Sequence, residues 1–276
     1  MRWTSRGRSR DLDDRRGQGG LRRAAPVGIG GALILLILTL LTGQDFLSLA
    51  DPGGGTLDTS TQPYTASPEE EKLVDFVSFV LDDSQDVWTE LLGPRYQRAR
   101  LVLFTDAVES ACGYAQSATG PFYCPGDQQV YIDLGFYREL QQRFGAPGDF
   151  AQAYVLAHEI GHHIQTITGI EAQVRQAQRA QPGAANQLSV RMELQADCYA
   201  GVWGHTTSRR GMLDPEDIDE AMNAAAAIGD DRIQRMGGGR VAPERFTHGS
   251  SAQRMEWFRR GFDSGRPESC DTFSSP

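Results

Sequence analysis

Histidine is scarce in this chain, five in 276 residues. Three of the five fall within Val155-Leu156-Ala157-His158-Glu159-Ile160-Gly161-His162-His163-Ile164, an apolar stretch without proline. Val155, Leu156, Ile160 and Ile164 recur at helical spacing, which predicts a half-buried helix. Residues four apart on a helix share a face, so His158 and His162 project two imidazoles toward one point. Glu159, next in sequence to His158, reaches a water held there. This is His-Glu-x-x-His, the arrangement a zinc hydrolase needs: two neutral nitrogen donors and a carboxylate base. The plain alternative is a helix whose histidines merely pack and hydrogen-bond; their concentration in one short segment argues against it. His163 lies off the shared face and is not expected to be a ligand.

Hydrolytic zinc sites keep three protein ligands and leave one position for water. A third histidine six residues after the second is one known solution, but Thr168 stands there. The better candidate is the segment 191–200, where Glu193 and Asp197 lie four apart on a second predicted helix. Glu193 as ligand leaves Asp197 to accept a hydrogen bond from the distal nitrogen of a ligating histidine, fixing its tautomer. The reverse assignment, and an ordinary acidic helix face, stay open on spacing alone.

The segments 158–163, 193–203 and 247–254, with Ala111-Cys112-Gly113 and Gly120-Pro121-Phe122-Tyr123-Cys124-Pro125, together resemble the putative neutral zinc metallopeptidase family. These are membrane-anchored bacterial proteins in the wider group of zincins with a glutamate ligand. The resemblance spans residues 65–275. It implies an α+β, zincin-like domain of the minigluzincin type, mainly helical with a small sheet. It also implies Zn2+ on His158, His162 and Glu193, Glu159 as catalytic carboxylate, and a protein or peptide substrate. The chain departs from the pattern at none of those positions.

Net charge is −9 and unevenly spread. Residues 1–25 hold eight arginines and three aspartates, leaving an acidic remainder that argues against nucleic acid as a partner. Residues 26–43 carry no charge and are close to the minimum for crossing a bilayer. Arginines flank this run on its N-terminal side only. The positive-inside rule then predicts a basic cytoplasmic arm (1–25), a transmembrane anchor (26–43), a Gly/Thr/Ser/Asp/Pro-rich linker (44–67) and a zinc metallopeptidase domain (68–276) outside the cytoplasm. A cleaved signal peptide ending near Ser48-Leu49-Ala50 is the rival. Four cysteines suit an exported domain with two disulfides, expected as Cys112–Cys124 and Cys198–Cys270, although spacing alone does not dictate connectivity.

Within the body, Ser67-Pro68 and three glutamates predict a helix over 68–92. Strands are expected at 101–104 and 130–134; the zincin resemblance implies that the second lies beside the cleft and can pair with an extended peptide, and an ordinary sheet strand is the competing reading. Further helices are expected at 149–167, 186–208, 214–228 and 250–262. His248, just before the last, is a candidate donor to an oxyanion; a loop histidine is the competing reading. Arg254 is placed to fix Asp197 or Glu193, with a surface arginine as the default. Two other functions fit the same residues: a tethered zinc-containing binding module without catalysis, and a zinc hydrolase of an ester or a cell-wall amide.

Overall fold

Every start signal of the first long helix is satisfied at once. Ser67 Oγ accepts from Glu70 N (3.2 Å), Glu70 returns the bond to Ser67 N (2.8 Å), and Pro68 occupies the first turn. Helix α1 runs Pro68–Leu92, ends at Gly93, and buries Val74, Val77, Val80, Leu81 and Trp88. The computed structural model describes residues 1–18, 64–116 and 120–274.

A four-stranded sheet packs against the helices in the order β1 (Leu12–Asp14), β2 (Arg100–Phe104), β6 (Gln129–Asp133), β5 (Phe122–Cys124). The first three run parallel; β5 is antiparallel and forms an edge. Alternation sends Leu101, Leu103, Val130 and Ile132 into the main core, and Val102, Phe104 and Tyr131 into a smaller cluster on the other face. A separate hairpin, β3 (Ala107–Ser110) and β4 (Gly113–Gln116), is tied to β5 by the Cys112–Cys124 disulfide. Because β6 has β2 on one side and β5 on the other, it has no free edge for a peptide. The free edge on that side of the sheet belongs to β5.

The helices continue with α2 (Gly135–Gln142), α3 (Asp149–Ile167), α4 (Ile170–Ala180), α5 (Ala185–Arg209), α6 (Pro215–Ala227), α7 (Asp230–Met236) and α8 (Ser251–Ser264). The mixed helix-and-sheet class is as expected, and so are both disulfides. α5 and α8 meet backbone to backbone. A Cβ added to Gly261 would lie 1.9 Å from the Cys198 carbonyl oxygen, and one added to Gly201 would lie 2.1 Å from that of Phe258. Cys198–Cys270 then fastens the C-terminal tail to α5.

The N-terminus corrects the expectation of a detached arm. Residues 1–18 belong to the same compact unit as the body. β1 pairs with β2, extended by hydrogen bonds from Leu101 N to Asp11 O and from Arg15 N to Leu103 O, both 2.8 Å. Trp3 lies 5.2 Å from the Phe76 ring. Buried Arg16 pairs with Asp14 (2.7 Å) and Glu71 (2.9 Å). Met1 donates from its α-amino group to Asp149 (2.5 Å) and Asp217 (3.0 Å). The domain therefore includes the basic segment. The run 26–43 and most of the linker lie outside the described residues; among those described, no helix is long and apolar enough to cross a membrane.

Candidate metal centre

α3 and α5 bring the ligands together, and a glycine sets their separation. A Cβ on Gly161 would stand 2.9 Å from Ala196 Cα, closer than real Cβ contacts. Glycine at 161 therefore lets the two helices touch one residue before Asp197 and three after Glu193. His158 Nε2 lies 3.2 Å from Glu193 Oε2, and His162 Nε2 lies 3.5 Å from Glu193 Oε1. Ligands about 2.1 Å from a tetrahedral zinc stand about 3.4 Å from one another. Both distances are close to that spacing, and one donor atom from each of the three residues lies within 4.8 Å of the others.

The opposite face of each imidazole is also occupied. His158 Nδ1–H donates to Asp197 Oδ1 (2.8 Å), and His162 Nδ1–H donates to Gln165 Oε1 (2.8 Å). Both rings are therefore held with the Nε2 lone pair toward Glu193. Asp197 is fully buried and also accepts from Tyr154 Oη (2.5 Å) and from Arg254 Nε and Nη2 (both 2.9 Å). Of the residues whose roles spacing left open, Glu193 faces the imidazoles, Asp197 stands behind His158, and Arg254 is buried against Asp197 rather than exposed.

The electrostatics ask for a cation. Burial would raise the Glu193 carboxyl, yet the two imidazoles hold it far below its ordinary range. Burial would lower His158, yet Asp197 and Glu193 carry it up to about 10. A proton thus takes the place of the positive charge that a metal would supply. Glu159 goes the other way: burial lifts its carboxyl, and the neighbouring histidines only partly oppose this.

The centre opens on a cleft of about 810 Å³ lined by His158, Glu159, His162 and Glu193, with apolar walls from Phe122, Phe136, Val155 and Ile228. The edge strand β5 forms part of one side. His163 fastens that strand instead of facing the metal. Its Nε2–H donates to Gln97 O (2.5 Å), and its Nδ1 accepts from Tyr123 Oη (3.2 Å). His248 also lines the cleft, half-exposed. Asp230 hangs its loop by accepting from the backbone N–H of Thr247, His248 and Gly249 at 2.7, 2.6 and 3.0 Å. The Asp230 hydrogen bond raises the His248 pKa above its ordinary value.

Sequence reasoning missed Gln165, Tyr154 and Asp230. The first two had a signal, standing three residues after His162 and four before His158, where a support for a helical histidine must lie. Asp230 had none, because a loop separates it from the histidine it positions.

The family model described as putative neutral zinc metallopeptidase matches residues 1–273. The Escherichia coli K12 protein YpfJ is 48% identical over 284 residues, covering 99% of both chains. Mb2605 of Mycobacterium bovis is 48% identical over 200 residues, covering 68% of this chain and 67% of its own. Both relatives are named as uncharacterized proteins. No solved structure matches. A match that takes in the docked N-terminal strand, the metal centre and the disulfide-bonded tail accounts for the whole described fold, and the chain belongs to the putative neutral zinc metallopeptidase family.

Proposed function

We propose that this protein is a zinc-dependent peptidase that hydrolyses peptide bonds in the α3–α5 cleft. The observation that carries the reading is the joint aim of His158 Nε2, His162 Nε2 and a Glu193 carboxylate at one point, with Glu159 beside it. Zinc at such a triad supplies a Lewis acid that polarises a carbonyl and acidifies water. The remaining chemistry belongs to the chain. Glu159, lifted by burial above the usual carboxylate range, accepts a proton from the attacking water and returns it to the departing amine. Asp197 and Gln165 engage the two Nδ1 atoms, so each ring offers Nε2 to the metal. His248, held by Asp230 in a setting that favours its charged form, donates a hydrogen bond to the oxygen on which negative charge develops.

A peptide substrate is favoured by the edge strand β5, whose backbone borders the cleft and suits an extended chain. Two disulfides favour an oxidising compartment outside the cytoplasm. The test is Glu159→Gln in the full chain: zinc content stays at the parent level while cleavage of casein or a peptide library disappears. Cleavage by the variant at the parent rate would end this reading. Turnover of cell-wall material instead of protein would move the substrate class.

A further inference from the structure

Arg2, Arg8, Arg15 and Arg16 have carboxylate partners in the fold, and this bears on which side of a membrane residues 1–18 occupy. α1 presents an acidic stripe, Glu71, Asp75, Asp82 and Asp86, at spacings that keep one helix face. Residues 1–18 lie along it. Arg8 and Arg16 pair with Glu71, Ser5 donates to Asp75 (3.1 Å), and Ser9 donates to Asp82 (2.7 Å). Asp11 accepts from Gln85 (3.1 Å) and from Arg98 (2.7 Å), which also bonds Asp82 and Asp86. Trp3 covers Phe76 and Phe79, and β1 completes one edge of the sheet. Basic arm meets acidic helix, aromatic meets aromatic, and strand meets strand along the same surface.

We infer that residues 1–18 are a built-in part of the catalytic domain and occupy the same compartment as the metal centre. A strand hydrogen-bonded to β2 cannot lie across a bilayer from it. A cytoplasmic arm with the body on the far side of a bilayer, as the positive-inside rule suggests, does not allow that pairing. Arg8 and Arg16 are instead complements to Glu71 on the α1 stripe. This inference stands apart from catalysis and survives a failure of the peptidase reading.

Lys72, exposed at the start of α1, is the only lysine in the sequence and marks the side of the body. Thr4 is exposed in the docked segment. The full-length Thr4→Lys variant, expressed in a bacterial host, is treated as intact spheroplasts with a membrane-impermeant amine reagent. Cleavage after arginine then separates the peptide beginning at Trp3 from both the Met1 amine and Lys72. The expected result is that the introduced amine and Lys72 are modified together, in a ratio that lysis does not change. Modification of both only after lysis keeps the shared compartment and places it in the cytoplasm. Modification of Lys72 in intact spheroplasts, with the introduced amine reacting only after lysis, overturns the inference. As a second readout, amide hydrogen exchange on membranes carrying the parent protein should show Arg15 protected. Exchange there at the rate of an unstructured peptide overturns docking independently.

Discussion

Among the described residues, two clusters offer three potential metal ligands each, and α3 contributes to both. One is His158, His162 and Glu193; the other is Asp149, Asp217 and Glu220 at the N-terminal end of the same helix. They differ in what stands behind the donors. In the first, each imidazole is pinned from its far side, so two lone pairs and a carboxylate converge. In the second, Asp149 and Asp217 accept from the Met1 α-amino group, Asp217 also accepts from Asp214 N (2.6 Å), and Glu220 accepts from Phe150 N (3.0 Å). The chain's own cation and backbone amides satisfy that cluster. Supporting hydrogen bonds, rather than the count of acidic groups, separate a metal centre from a structural knot.

The sharpest way to break the comparison is to remove one carboxylate from each cluster. Glu193→Ala should lower zinc from stoichiometric to background by elemental analysis after dialysis, while Asp217→Ala should retain the full amount. Equal retention in both would erase the distinction. Next in size is Asp197→Ala. It strands the buried Arg254 guanidinium and frees the far side of His158, so a loss of about 3–5 kcal/mol is expected in chemical denaturation, with weaker zinc binding alongside. Gly161→Ala should cost less, about 1–3 kcal/mol from overpacking against Ala196. Its diagnostic is loosened zinc binding with the ligands intact; unchanged zinc affinity would show that the α3–α5 approach is not what sets the triad.

The last two effects are pH dependences of opposite sign. In the metal-free centre His158 titrates near 10, so zinc must displace its proton throughout the neutral range. Apparent zinc affinity, measured by chelator competition, should therefore climb by about tenfold per pH unit between pH 6 and 9 for that proton. The α-amino knot behaves the other way. Although burial opposes it, the hydrogen bonds that the amine donates to Asp149 and Asp217 raise it above its ordinary value of 8.0. A raised folded-state pKa contributes stability in full below the unfolded value and loses it as pH rises through the folded one. The melting temperature of the parent should fall slightly on alkalinisation from pH 8, and Asp217→Asn should flatten that slope.

Much of the centre was legible because helices convert spacing into direction. His158, His162, Glu193 and Asp197 all sit at four-residue intervals on two helices, so their faces follow from sequence. The long helices were likewise readable, with Ser67, Pro68 and Gly93 marking α1 almost to the residue. Non-local features were hidden. β1 is three residues long, and its only reason to be a strand is β2, more than eighty positions away. The arginines beside it carry charge visible in the sequence, but their partners on α1 are known only from the fold. The same limit concealed Asp230, and it assigned to β6 the edge that belongs to β5.

One chain of contacts joins the tail to the active end of the molecule. Cys270 O accepts from Gln195 Nε2 (3.0 Å), Gln195 Oε1 accepts from Gln165 Nε2 (3.0 Å), and Gln165 Oε1 receives His162 Nδ1–H (2.8 Å). Gln165 Nε2 donates to Met192 O as well (2.7 Å), so that side chain is held from two directions behind His162. The Cys198–Cys270 bond thus carries more than the tail: it sets one end of a hydrogen-bonded path that reaches a candidate metal ligand.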